Sequence, residues 1–186
     1  NKKDMFVRLD IDRYSVDKML SVLSHSNIKV IQHNHFKLFF KVVLGQKNIL
    51  GNNLFQEGII SIQDPAAGAV VELINPQKND FILDVCAAPG TKSLFMAQRV
   101  GQGGRIFACD NSQKRIEKAL KDKSRHRLNN IEWHLLEASK DKYPLHEKIL
   151  LDAPCSGTGV IGRRPDIKWR LRKSDIQRMA NLQKSI

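Results

Sequence analysis

From residue 81 onward the chain alternates short apolar runs with helical patterns, and this alternation constrains the fold more than any other feature. Phe81-Ile-Leu-Asp-Val85, Arg105-Ile-Phe-Ala-Cys109, Ile131 to Leu136 and Lys148-Ile-Leu-Leu-Asp152 are mostly apolar rather than alternating. Such runs form strands buried on both faces of a parallel sheet. Helical patterns fill Thr91 to Val100 and Ser112 to about Leu128, and a further helix begins at Ser174. Gly101-Gln-Gly-Gly104 and Asn129-Asn130 supply turns. Strand and helix in turn, joined by short loops, predict an α/β, Rossmann-like, doubly wound parallel sheet with right-handed crossovers.

The first third reads differently. Met5 to Ile11 alternates apolar and polar residues as a strand does, and Val16, Met19, Leu20 and Leu23 fall at helical spacing behind a capping Ser15. Phe36 to Leu44 reads as a strand, with a short one at Lys29 to Gln32 before it. Residues 1–60 thus form a small α/β unit without a chemical motif. At Gln63-Asp64-Pro65 the texture changes, and Pro65 opens a helix of small residues, Ala66 to Leu73. The division is therefore 1–60 and 61–186.

Lysine and arginine number 31 against 19 acids, a net charge of +12 that favours a polyanionic partner such as nucleic acid. No apolar run reaches the ~18 residues of a membrane span, and polar Asn1-Lys2-Lys3-Asp4 does not read as a signal peptide. Cys86, Cys109 and Cys155 are odd in number and form no CxxC pair. That argues against a disulfide framework and a zinc site, and for a reducing, cytoplasmic setting.

In an open α/β sheet a ligand sits at the carboxyl ends of the strands. Asp84-Val-Cys-Ala-Ala-Pro-Gly-Thr-Lys92 places small residues and a tight turn before a helix N-terminus that attracts a carboxylate. Asp110 ends the second strand, 20 residues after Gly90, where an acid suits a ribose diol; the alternative is a helix cap. Asp152-Ala-Pro-Cys-Ser-Gly-Thr-Gly159 is an acid-bearing loop rich in glycine at the fourth strand end, with a purely structural turn as its alternative. The absence of GxGxxG speaks against a nicotinamide or flavin site.

Together with Ile62-Gln63-Asp64-Pro65 and Arg164-Pro-Asp-Ile-Lys-Trp169, these motifs resemble the Sun family of RNA cytosine-C5 methyltransferases, and the last stretch resembles its bacterial small-subunit ribosomal RNA branch. The resemblance implies an S-adenosylmethionine pocket lined by Cys86, Ala87, Ala88, Pro89, Gly90, Thr91 and Lys92, with Asp110 on the ribose. Glu137 stands where an acid near the adenine is expected. Residues 1–60 resemble the family's small RRM-like unit.

Cytosine carbon 5 is a poor nucleophile, so a thiolate must first add to carbon 6; the resulting enamine attacks the methyl group, and loss of the carbon-5 proton and of the thiol follows. The resemblance gives Asp152 the cytosine edge and Cys155 an auxiliary part in adduct breakdown. It puts the attacking cysteine in a later Thr-Cys-Ser segment that these 186 residues do not contain. A fragment lacking the last three strands and an amino-terminal RNA-binding domain, incapable of turnover, is therefore expected. Two other readings stand beside it: a DNA-type cytosine-C5 methyltransferase with Cys155 as nucleophile, and a non-catalytic RNA-binding or ribosome-assembly module. Arg163, Arg164, Lys168 and Arg170 cluster after the Asp-Ala-Pro-Cys loop as candidate phosphate contacts, with Trp169 expected in the core. The basic helix Lys114 to Arg127 reads as a solvated face. The partner is expected to be ribosomal RNA and the chain a monomer away from membranes.

Overall fold

A computed structural model describes residues 4–162 and 164–186. The first unit runs β1 (Met5–Leu9), α1 (Val16–His25), β2 (Lys29–Gln32), β3 (Phe39–Leu44), α2 (Asn53–Gln56) and β4 (Ile60–Ile62). This βαββαβ order folds into an antiparallel sheet of strand order β2-β3-β1-β4. It matches the expected RRM-like unit. Ser15 caps α1 by accepting from the Lys18 amide at 3.3 Å. Met19 and Leu23 of α1 and Leu54 of α2 bury against Val7, Leu9, Phe40, Val42 and Ile60, on one sheet face. β1 stops at Leu9 because the Tyr14 amide donates back to the Asp10 carbonyl, 3.1 Å. β3 starts late because the His33 ring nitrogen accepts from the His35 and Phe36 amides, curling that segment into a turn. β4, three residues long, is too short for alternation to register in sequence.

The second unit runs α3 (Pro65–Ile74), β5 (Phe81–Val85), α4 (Thr91–Val100), β6 (Arg105–Asp110), α5 (Gln113–Arg125), β7 (Ile131–Leu135), β8 (Lys148–Leu151), α6 (Ile167–Arg170) and α7 (Lys173–Ser185). Its four strands pair in parallel in the order β7-β6-β5-β8. Strand order reverses beside β5: β6 follows on one side and β8 on the other. This is the switch point at which such sheets bind ligands. Val71 of α3 and Leu94, Phe95, Met96 and Ala97 of α4 pack on Ile82, Ile106 and Leu150. The other face carries a smaller cluster, Leu83, Val85 and Cys109, under Phe107, Leu136 and Tyr143. No described helix is long and apolar enough to cross a membrane.

The sheet face of the first unit that its helices leave uncovered docks on the second unit. Arg8, Phe39 and Ser61 stand side by side across β1, β3 and β4. Phe39 meets Phe95 edge-on at 6.2 Å and lies so close to Gly68 that a Cβ there would come within 2.2 Å of its ring. Buried Arg8 sits over the Phe95 ring at 4.1 Å and donates to Gln63 at 2.7 Å and to Gln98. The Ser61 hydroxyl bonds the buried His126 ring at 3.0 Å. Burial is the main force lowering the Arg8 pKa to about 9 and the His126 pKa to about 3. Gly58, at φ +68°, lies against the end of α5, where a Cβ would stand 2.5 Å from the Arg125 carbonyl. Arg125 itself, expected on a solvated helix face, turns into this seam over the Phe55 ring at 4.0 Å.

Candidate active site at the strand tips

β5 ends in a turn that its own residues shape. Cys86 takes φ 59° and Gly90 φ 99°, and Ala88–Pro89 is a cis peptide. A side chain at Gly90 would combine a disfavoured dihedral with a Cβ 2.9 Å from the Trp133 ring, so glycine is required there. Thr91 is the first helical residue of α4 and needs no special dihedral. The turn is tied to the neighbouring strand tip: the Ala87 amide donates to the Cys109 carbonyl at 2.9 Å and the Ala88 amide to Asp110 at 3.1 Å. Deeper in the strand, the Ser93 hydroxyl donates to Asp84 at 2.6 Å, pinning the start of α4 to β5. Burial drives the Asp84 carboxyl up to about 7, against the Ser93 hydrogen bond that lowers it. The sequence places Asp84 at the head of the motif without giving it a role; a carboxylate inside an apolar run is the signal for one.

Asp110 is buried, and the Ser112 amide also donates to it at 3.1 Å. The Arg115 guanidinium closes over it at 3.1 Å and donates to the Ala88 carbonyl as well. Arg115, from the helix read as a plain solvated face, is thus part of the site. Glu137 lies past β7, accepts from the Asn111 side chain at 3.1 Å and stands beside the Asp110 strand tip, to whose carbonyl the Leu136 amide donates.

Asp152 follows β8. Its side chain is 58% exposed and pairs with the Lys92 ammonium at 2.7 Å, so the two motif loops meet across the sheet. Cys155 is exposed, and its sulfur accepts from the Gly157 amide at 3.4 Å. Cys86 is half-buried; burial, then the charge of Asp110, holds its thiol above the ordinary range. Cys109 is buried and pushed to about 11, chiefly by burial, which suits a packing residue.

Cys86, Asp110, Glu137, Asp152, Cys155 and Arg164 line a single cleft of about 600 Å³. Four strand tips therefore contribute to one hollow, with α7 closing one side through Leu182. Ala87, Ala88, Pro89, Gly90, Thr91 and Lys92 do not line it; the first four form the turn behind it, and Thr91 and Lys92 begin α4. Arg163 lies outside the described residues. Lys168 is exposed, and Arg164 and Arg170 both pair with Asp166, at 3.7 and 3.1 Å. Trp169, expected in the core, is 89% exposed, because α6 buries only Ile167. Among the described residues no cluster of acids, histidines and cysteines could hold a metal ion.

The profile of the family described as 16S rRNA methyltransferase RsmB/F matches residues 71–186. Ribosomal RNA small subunit methyltransferase B of Proteus mirabilis is 33% identical over 100% of this chain, which covers 44% of that relative. The protein of the same name from Shewanella oneidensis is 41% identical over 75% of the chain and 33% of its own length. The chain thus spans less than half of these relatives. Among solved structures, PH0851 superposes over the whole chain and 42% of its own, with a TM-score of 0.92 and 25% identity. The structure of NSun6 from Pyrococcus horikoshii with SFG superposes over 98% of this chain and 70% of that one, with a TM-score of 0.86; at 18% identity it speaks to the fold alone.

Proposed function

The chain belongs to the family of 16S rRNA methyltransferases described as RsmB/F, and on that premise we propose that its cleft binds S-adenosylmethionine and serves methylation of cytosine carbon 5 in small-subunit ribosomal RNA. One observation carries this reading: Cys86, Asp110, Glu137, Asp152 and Cys155, from four loops far apart in sequence, converge on one hollow. Its volume falls in the range of about 300–1,000 Å³ usual for cofactor sites. Its acids suit a ribose diol, an adenine edge and a positively charged sulfonium. The fit carries one condition: Arg115 covers Asp110 and must swing aside for a diol to reach that carboxylate. Half-exposed Arg115 has the room to do so.

When bound, the cofactor supplies the methyl group. The chain's own residues do the rest of the positioning. Glu137 and Asp110 accept from the nucleoside, and Cys86, at the start of the turn, lines the cleft. Asp152, held at its free edge by Lys92, accepts from the cytosine amino group and orients the ring. Cys155, three residues further along the same loop, assists elimination at the adduct. The target base must leave its stack to enter. This reading assigns none of the three cysteines the attack on carbon 6. The setting is cytoplasmic and the chain monomeric, which sedimentation tests.

Calorimetry with S-adenosylhomocysteine is the direct test. One-to-one binding, weakened by Asp110→Ala, supports the reading; a chain that binds RNA but neither form of the cofactor is a binding module instead. Incubation with a 5-fluorocytosine RNA and S-adenosylmethionine separates the chemistries. A covalent adduct on Cys155 would assign it the DNA-type nucleophilic role.

A further inference from the structure

In the first unit, the sheet face away from its helices is only half used by the seam. The Arg8, Phe39, Ser61 row is buried against α4 and α5, but the adjacent row stays open. There Phe6 of β1 stands opposite Lys41 of β3, and Lys41 opposite Ile31 of β2. Phe6 is half-buried, Ile31 60% exposed, and Val43, two residues along the same face, 46% exposed. The His33 ring meets Phe6 edge-on at 5.9 Å and is itself 5.2 Å from Phe36. Lys41 bears the strip's positive charge; its partner is Asp4 at 2.7 Å, an exposed ion pair of the kind that exchanges readily for a phosphate.

The strip also leads somewhere. Phe6 lines a groove of about 380 Å³ with Ile62, Gln63, Ala67 and Thr91. Gln63 ties the two units by donating to the Thr91 carbonyl at 3.2 Å. Thr91 lies between Gly90, in the turn behind the cleft, and Lys92, the partner of Asp152. The two acids along the groove are already engaged: Asp4 with Lys41, and Asp64 as acceptor for the Ala66 amide at the start of α3.

We propose that this open strip, Phe6, Lys41 and Ile31 with the His33 ring, binds an unpaired RNA strand and guides it along the groove toward the strand-tip cleft. Aromatic faces on the central strands of a four-stranded sheet stack bases, and a lysine beside them takes the phosphate. A +12 chain supplies the long-range attraction. The inference rests on the function proposed above, because it names where the substrate of that site lies.

The test uses the 186-residue chain and a fluorescein-labelled unpaired pyrimidine dodecamer carrying one 4-thiouridine. Phe6→Leu keeps an apolar side chain and removes the ring; affinity falls about tenfold, with the thermal midpoint unchanged. Lys41→Gln lowers the slope of log affinity against log salt by about 0.7. Photocrosslinks map to Phe6 or His33. Wild-type affinity in Phe6→Leu, crosslinks confined to α5 or to residues 164–170, or no RNA binding at all overturns the proposal. So does concentration-dependent self-association that Phe6→Leu abolishes, which would make the strip a contact between copies. If Phe6→Leu lowers the thermal midpoint, the crosslink position decides. S-adenosylhomocysteine calorimetry reads the other question separately: its failure removes the function proposed for the cleft, whereas retained binding with no RNA on the strip removes only this inference.

Discussion

The seam between the two units and the cleft at the strand tips are both built from polar side chains, yet they are opposites. In the seam, Arg8, His126 and Ser61 are buried, and Phe39 fills the space a side chain at Gly68 would need. In the cleft, Asp152 and Cys155 are exposed, and Arg115 rests on Asp110 with half its side chain in water. Polar groups locked without water fix geometry, because any displacement leaves one unpaired at a cost of about 1–3 kcal/mol. Polar groups left at an opening remain free to exchange partners for a ligand. The molecule holds its two sheets rigidly together at the seam and keeps its adaptable groups where the chemistry is proposed.

Substitutions should expose that contrast. The largest effect is expected at the seam. Gly58→Ala forces a left-handed dihedral on a side chain and drives a Cβ into the Arg125 backbone. The sum is about 3 kcal/mol, read as a lowered urea midpoint. A loss under ~1 kcal/mol would mean that the seam yields and the contrast is false. Next comes Gly90→Ala, at the turn behind the cleft. There the new Cβ meets a tryptophan ring, which can shift more easily than backbone. About 1–2 kcal/mol of stability is expected to go, with S-adenosylhomocysteine binding weakened about tenfold.

The pH profile sharpens the comparison, because the two regions have opposite slopes. The His126 ring has an unfolded value near 6.5 and is depressed to about 3 in the seam. It is held neutral, so its contribution is complete above pH 6.5 and disappears as pH falls through 3. Asp84 is raised from 3.8 to about 7. The proton it retains stabilises the fold fully below pH 3.8, and that contribution is lost as pH rises through 7. Between about pH 4 and 6.5 the two contributions oppose each other, so in urea titrations His126→Gln should make stability fall more steeply with rising pH and Asp84→Asn should make it rise more steeply. A variant that leaves its slope unchanged would acquit that residue.

The smallest change in stability is expected at the cleft mouth. Asp152→Asn removes an exposed ion pair with Lys92 and should move the urea midpoint by less than ~0.5 kcal/mol. A larger loss would show that Asp152 props the two loops and is not the free acceptor assigned to it.

Much of this was legible in the residues. Continuous apolar runs between helical patterns specify a parallel sheet, because each strand must be apolar on both faces. The acids and small residues that follow those runs mark the strand tips, so Cys86, Asp110 and Asp152 could be named without coordinates. Trp169 could not be placed: a tryptophan's size argues for burial, but its environment is set by whatever faces α6. Arg115 and Arg125 look alike within one basic helix, yet one closes over Asp110 and the other enters the seam. Their fates depend on which elements stand opposite each turn of that helix.

By itself, then, the sequence determined the longer strands and helices and the motif loops, but not the short α2, β4 and α6, since each of the former depends on a local period or on a turn that only glycine, proline or small residues permit. Only the tertiary structure decided that the RRM-like sheet spends half a face on docking, that Arg115 shields Asp110, and that Lys92 reaches Asp152. Those are contacts between residues tens of positions apart, fixed by how the layers pack.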